Sequence, residues 1–348
     1  MNPNVSQTAI DRVVAELERM GAKAHLSQGK FRTVIGAVGE EANLDQTHIL
    51  SLDGVEKVVP IMKPYKLASR EFHEDDSIVE IGGAGKTPTV KIGGSHAACI
   101  AGPCAVENEE MLYKIARHVR DGGATVLRGG VYKPRTSPYS FQGLGLEALK
   151  WMRACGDELG MPICVEVMDT RQVADMEPYV DCFQIGARNM QNFDLLREVG
   201  KTRRAVLLKR GLAATVKDWL LSAEYVLSQG NRKVILCERG IKTFEDSSRY
   251  TLDITSLPVC KQLTHLPMVV DPSHCCGKRD WVPAVAKAGM AAGADGVIIE
   301  VHYNPAEAQC DGPQALLPEV FKSLMGQLRT IATLEKKEFA EAAELASA

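Results

Sequence analysis

From residue 97 onward the chain alternates with a regular beat: short apolar runs separated by longer segments in which apolar residues return every third or fourth position. The runs predict strands at Ala97–Ala101, Thr125–Leu127, Ile163–Val167, Cys182–Ile185, Ala205–Leu208, Lys233–Cys237, Pro267–Val270 and Gly296–Val301. The segments between them predict amphipathic helices, among them Glu109–Val119, Leu146–Leu159, Val216–Ser228 and Trp281–Ala292. Eight strands, each followed by a mostly helical stretch, form the pattern of a (β/α)8 TIM barrel over 97–335. A doubly wound sheet is the structural rival. It usually has fewer strands, and no GxGxxG follows the first run.

The opening 65 residues carry a different pattern. Ser6 caps a predicted helix running to Gly21, with Ile10, Val13, Val14, Leu17 and Met20 on one face. Strand-like runs follow at Ala22–Ser27 and Thr33–Val38, then a short helix at Leu44–Leu52 and a last strand at Val55–Met62. This αββαβ order is that of a small ferredoxin-like α+β domain with its first strand short or missing. Either Met1–Val5 supplies a stub of that strand or the start lies upstream. Residues 66–96 read as a linker whose pieces Ser77–Ile81 and Thr89–Ile92 form a hairpin at the barrel bottom, and 336–348 read as a C-terminal tail.

Composition narrows the class. At 348 residues the chain fits one large domain plus a small one. A net charge of −3 gives no reason to expect nucleic acid or an anionic membrane as partner. No apolar run reaches the ~18 to 20 residues that a membrane span needs, and MNPNVSQTAIDRV lacks the basic start of a signal peptide. The ten cysteines are scattered, with no CxxC pair, as in a cytoplasmic protein whose thiols stay reduced.

A barrel of this kind builds its active site at the C-terminal ends of its strands. Read to their ends, the predicted strands deliver in turn Cys104; Arg128 with Lys133 and Arg135; Glu166; Arg188; Lys209-Arg210; Glu238-Arg239; Asp271-Pro272-Ser273-His274; and Glu300-Val301-His302. Solvated strand ends alone do not place a charged or ligating residue at every position. The cations Arg128, Lys133, Arg135, Arg188, Lys209 and Arg239 repel one another unless anions occupy the mouth, so the substrates carry several negative charges, as phosphorylated sugars or acids do. Cys104, His274, Glu300 and Asp311 combine a thiolate, an imidazole and two carboxylates, a set suited to Mn2+, Fe2+, Co2+ or Zn2+. Taken singly, Cys104 also reads as a small core filler and His274 as a hydrogen-bonded loop residue.

At these residues the sequence resembles a known family. AGPCAVEN (101–108), LRGGVYKPRTSPYSFQGLG (127–145), QIGARNMQNFDLL (184–196), LLKRG (207–211), ILCERGIKTFE (235–245), VVDPSH (269–274) and EVHYNPAEAQCDGPQAL (300–316) look like the motifs of 3-deoxy-D-arabino-heptulosonate 7-phosphate (DAHP) synthase, class I. The N-terminal unit resembles the ferredoxin-like, ACT-like regulatory domain of the subgroup that carries one. The resemblance implies a transferase that condenses phosphoenolpyruvate with D-erythrose 4-phosphate, opening the shikimate pathway of aromatic amino-acid biosynthesis. It implies a metal bound by Cys104, His274, Glu300 and Asp311. It also implies a phosphoenolpyruvate site of Arg128, Lys133, Arg188, Lys209 and Arg239, with Glu166 near it. The segment Lys133-Pro134-Arg135-Thr136 matches the loop that contacts erythrose 4-phosphate.

Candidate catalytic groups are Lys133 as proton donor, Glu166 or Glu238 to orient water, and His302. The resemblance further implies feedback control by tyrosine or phenylalanine at His25 and Ser27, and a homotetramer. Cys275-Cys276 depart from the small residues usual after the histidine, either as tolerated small side chains or as an oxidation-sensitive pair. Two alternatives stand beside this reading. One is a 3-deoxy-octulosonate 8-phosphate synthase, whose loop resembles KANRSS where this chain has KPRTS. The other is a non-catalytic effector-binding barrel.

Overall fold

The computed structural model describes residues 1–348 except 4, 29–32, 40–43, 60–62, 136 and 341–348. It divides into two units, Met1–Asp76 with Gln262–His265, and Ser77–Lys261 with Leu266–Ala348.

In the first unit, helix α1 (Gln7–Arg19) starts where the Ser6 side chain accepts a hydrogen bond from Ala9 N, so the predicted cap is the observed one. Its apolar face buries Ile10, Val13 and Leu17. An antiparallel hairpin of β1 (Lys23–Gln28) and β2 (Thr33–Val38) follows, then α2 (Gln46–Ser51), capped by Asp45. Residues 55–59 are not in a strand, and the rest of the strand expected at Val55–Met62 lies outside the described residues.

In the second unit, a short antiparallel hairpin of β3 (Val79–Ile81) and β4 (Val90–Ile92) precedes the barrel strands. These are β5 (His96–Gly102), β6 (Val126–Arg128), β7 (Ile163–Val167), β8 (Cys182–Ile185), β9 (Ala205–Lys209), β10 (Val234–Glu238), β11 (Met268–Val270) and β12 (Gly296–Glu300). All eight are parallel, and β12 pairs with β5 from Gly296↔Ala98 to Glu300↔Gly102, which closes the barrel. At that seam a Cβ on Gly296 would lie 2.1 Å from Ala98 O, so only glycine permits the approach. The tail expected from 336 onward supplies β13 (Glu338–Phe339), which extends the sheet beside His96 and Ala97.

The connecting helices are α3 (Glu109–Asp121), α4 (Leu146–Leu159), α5 (Thr170–Met176), α6 (Phe193–Lys201), α7 (Val216–Leu227), α8 (Ser256–Leu263), α9 (Pro272–Cys276), α10 (Val282–Ala291) and α11 (Pro318–Leu334). Local chemistry sets their ends: Asn108 caps α3 through Met111 N, and Thr215 with Asp218 forms a capping box on α7. Helices outside and side chains inside bury both strand faces, which explains the near-continuous apolar runs.

One buried cluster sets the polarity of the barrel interior. Ile100, Val126, Cys164, Cys182, Leu207, Cys237, Val269 and Ile298 pack with Val79, Ile81, Val90 and Ile92 of the hairpin, which plugs the barrel bottom. Side chains on a strand alternate between faces. Two residues further along each barrel strand, on the same inner face, lie Gly102, Arg128, Glu166, Gln184, Lys209, Arg239, Asp271 and Glu300. An apolar layer is thus roofed by a polar one. All ten cysteines are free. Among the described residues no helix is long and apolar enough to cross a membrane.

Candidate active site

Above the polar layer lies a cavity of about 350 Å³, lined by residues from seven of the eight strand ends and the loops after them. Arg128, Lys133, Pro134, Arg135, Glu166, Arg188, Lys209, Arg239, His274 and Asp311, all expected from the sequence, line it. Cys104 and Glu300 lie beneath, 4% and 0% exposed. Thr136 lies outside the described residues.

The four expected metal ligands converge. One donor atom from each of Cys104, His274, Glu300 and Asp311 lies within 4.8 Å of every other. His274 Nε2 is 3.2 Å from Glu300 Oε1 and 3.9 Å from Asp311 Oδ2, and Cys104 Sγ is 3.5 Å from Asp311 Oδ2. Donors bonded to one ion at about 2.0–2.3 Å lie about 3–4 Å apart, so the spacing fits a shared divalent cation. Two of the four are also held in the state a metal needs, while the neighbouring Cys310 and burial hold the Cys104 thiol above its ordinary range. Burial lowers the His274 pKa and favours the neutral imidazole that a metal needs. Burial raises that of Glu300, but His274, Arg128 and Lys133 together bring it down to about 2. His274 Nδ1 lies 2.8 Å from Asp271 Oδ2, off the alignment of a full hydrogen bond, and this turns Nε2 toward the other ligands. Asp271 Oδ2 also accepts from Lys209 Nζ at 2.6 Å, so one buried carboxylate holds a cavity cation and a metal ligand together.

The cations divide by partner. Arg128 pairs with Glu300 at 3.0 Å, and Lys209 with Asp271. Among the described residues, Lys133, Arg135, Arg188 and Arg239 form no ion pair with a carboxylate. Lys133 Nζ donates to Cys104 O and Sγ, both at 3.1 Å, and Arg135 NH1 reaches Cys310 Sγ at 2.8 Å. The Arg239 guanidinium stacks 4.0 Å from the centre of the Tyr250 ring. Burial works against the charge on Lys133; Cys104, Cys310 and Glu166 outweigh it, and the ammonium is held above the ordinary lysine range. Lys133 and Arg239 are buried, Arg135 is half-buried and Arg188 is exposed; a buried charge without a counter-charge is costly, and a bound anion offsets that cost. Glu166, partnered by Gln184 Nε2 at 3.2 Å, and Asp311 are the cavity's acidic groups.

Two expected site residues stand elsewhere. Glu238 is fully buried outside the cavity lining, its carboxylate taken up by Arg210 NH1, Gly240 N and Ser256 Oγ. The reason is strand parity: Cys237 and Arg239 point into the barrel, so Glu238 and Arg210 point out toward the helices. His302 lies past the end of β12, buried and stacked on Tyr303, with Nδ1 accepting from Asn304 N. It does not line the cavity either. Cys275 and Cys276 are buried in α9, and their carbonyls accept from Tyr250 N and Arg249 N.

The sequence reading passed over Arg249, Tyr250, Gln184, Ser137, Ser140 and Cys310, all of which line the cavity. Gln184 was within reach, standing at a strand end beside Glu166. The others sit on loops that carry no periodic signal. In the first unit, His25 and Ser27 share one face of β1 and are both buried, and Ser27 Oγ lies 2.7 Å from His73 Nδ1.

Residues 71–334 match the DAHP synthetase I family and residues 1–63 the DAHP synthase ferredoxin-like domain. The phospho-2-dehydro-3-deoxyheptonate aldolase of Thermotoga maritima is 46% identical over 332 residues, covering 95% of this chain and 96% of that one. The crystal structure of DAHP synthase from Thermotoga maritima matches with a TM-score of 0.77 and 45% identity, across 97% of this chain and 98% of its own. A 2-dehydro-3-deoxyphosphooctonate aldolase from Geobacter sulfurreducens is more distant, 32% identical over 267 residues, 71% of this chain and 97% of that one. Family match, barrel and ligand cluster agree: this chain belongs to the DAHP synthetase I family and carries that family's ferredoxin-like domain at residues 1–63.

Proposed function

We propose that the cavity joins phosphoenolpyruvate to erythrose 4-phosphate through its cationic side chains, Glu166 and a metal ion held beside them. The family acts on these two substrates, is metal-dependent, and makes the chain a carbon–carbon bond-forming transferase. One observation carries the assignment of roles: four cations that have no carboxylate partner among the described residues open onto the same cavity as a complete set of metal donors.

Lys209, Arg188 and Arg239 hold the phosphate and carboxylate of phosphoenolpyruvate and fix its C3 against the aldehyde carbon. Pro134 and Arg135, with Thr136 between them and Ser137, offer contacts to the aldose phosphate. An ion held by Cys104, His274, Glu300 and Asp311 supplies, when bound, Lewis-acid stabilisation of the charge that develops on the aldehyde oxygen. The first-row ions Mn2+, Fe2+, Co2+ and Zn2+ suit this donor set. Lys133 donates the proton to the new alkoxide. Attack from C3 leaves positive charge on C2, which water captures before phosphate departs. Glu166, held by Gln184, orients that water.

The discriminating assay is phosphate release from phosphoenolpyruvate with erythrose 4-phosphate, with arabinose 5-phosphate, and with no aldose. Release with erythrose 4-phosphate that stops with chelator and returns with Mn2+ supports the reading. A preference for arabinose 5-phosphate gives the octulosonate alternative instead.

Regulation and assembly belong to the same reading. The ferredoxin-like domain and the two buried polar side chains on one face of β1 support His25 and Ser27 as contacts for a tyrosine or phenylalanine effector. A rate that ignores both amino acids at saturating concentration overturns this. The homotetramer implied by the resemblance is tested by light scattering, and a cytoplasmic location by fractionation.

A further inference from the structure

The two carboxylates of the donor cluster share one support. Arg249 stands on the loop after β10, where Arg249 N and Tyr250 N donate to the carbonyls of Cys276 and Cys275 beside His274. Its NH1 donates to Asp311 Oδ1 at 3.3 Å and to Gln314 Oε1 at 2.8 Å. Gln314, 2% exposed, passes the contact on: its Nε2 donates to Glu300 Oε2 at 2.7 Å. The amide has one orientation here, because the guanidinium only donates and the carboxylate only accepts. Asp311 Oδ2 is left facing Cys104 and His274, and Glu300 Oε1 faces His274 while also accepting from Arg128. Asp311 itself takes a left-handed backbone with φ 51°, uncommon for a residue with a side chain, so its aspect depends on what holds it.

We propose that Arg249 is a positioning residue for this reaction: directly at Asp311, and through Gln314 at Glu300, one guanidinium sets which oxygen of each carboxylate faces the ion. The inference rests on the metal-centre reading above, and its test measures ion affinity apart from turnover. Outer partners of metal ligands commonly govern affinity by 10- to 100-fold, by an order-of-magnitude rule.

Mn2+ is titrated calorimetrically into the chelator-stripped full chain. Arg249→Met, which keeps the apolar stem, is expected to weaken Mn2+ binding about 10- to 100-fold. Gln314→Met is expected to weaken it in the same direction. The double variant then loses less than the product of the two single effects, since both break one chain of contacts. Arg249→Lys recovers part of the affinity, because its ammonium keeps a positive donor beside Asp311 on a shorter side chain. At saturating Mn2+ the KM values of Arg249→Met change by a smaller factor than the Mn2+ affinity does.

Unchanged Mn2+ affinity with a raised KM makes Arg249 a substrate contact and overturns the inference. Independent single effects overturn the shared link through Gln314. A wild type that binds no Mn2+ brings down the metal centre and this role with it. A wild type that binds Mn2+ and an Arg249→Met that binds it weakly support the role even where the condensation assay fails.

Discussion

A single added methyl group tests the role of Glu166. A Cβ on Gly186 would lie 2.1 Å from Glu166 Oε1, while the backbone there, φ −65° and ψ 156°, is open to any residue. Gly186→Ala therefore keeps the fold and pushes the carboxylate off its place beside Gln184. Displacement on the scale of an ångström costs about 100-fold where a group positions a reactant. The expected outcome is a fall of that order in kcat/KM with a melting temperature near wild type; normal kinetics would remove Glu166 from the reaction. Lys133 makes a different prediction, because its nitrogen lies against Cys104 at the junction of the cavity and the donor cluster. Lys133→Ala is expected to lower kcat by about 100- to 10,000-fold, the range for a lost proton donor, with a smaller change in KM. Steady-state kinetics separate the two, and a defect in KM alone contradicts the acid role.

At the scale of elements, the hairpin that plugs the barrel is pinned by one carboxylate. Asp181 is fully buried and accepts from Arg153 NH1 at 2.7 Å, Ile163 N at 2.9 Å and Ala84 N at 2.8 Å. Removing one partner of a buried pair costs about 3–5 kcal/mol. Asp157 still pairs with Arg153 at 2.9 Å, which places Asp181→Ala near the lower end of that range. Urea denaturation measures the loss, and activity per folded molecule stays level because none of these residues lines the cavity.

The same elements show what the sequence could and could not convey. Strand and helix positions were legible because burial writes a period into the chain: Ile163–Val167, Cys182–Ile185 and Leu146–Leu159 fall where the pattern put them. Which face of a strand looks inward was not legible, because both faces of these strands are apolar. Glu238 and Arg239 are adjacent letters with opposite destinations, and only the packing of Cys237 in the barrel interior separates them. Arg249 and Cys310 lie on loops, whose course depends on partners distant in sequence. The two residues of β13 are too short to show any alternation.

At the scale of the molecule, the division of the chain separates chemistry from the ferredoxin-like domain. Every residue that lines the cavity, from Arg128 to Asp311, belongs to the unit formed by Ser77–Lys261 and Leu266–Ala348. Ion binding is therefore expected to stabilise that unit, by about 2.7 kcal/mol when the free ion stands 100-fold above its Kd. Calorimetry with and without chelator reads this as a shift in the barrel's transition, and Cys104→Ala should lose most of it. His25 and Ser27 lie in the other unit, Met1–Asp76. A chain that begins at Ser77 is then expected to bind Mn2+ and release phosphate from the two substrates, with no response to tyrosine or phenylalanine. If that shortened chain folds but is still inhibited, the effector acts within the barrel. If it folds and binds the ion but does not turn over, the first unit contributes to catalysis as well as to control.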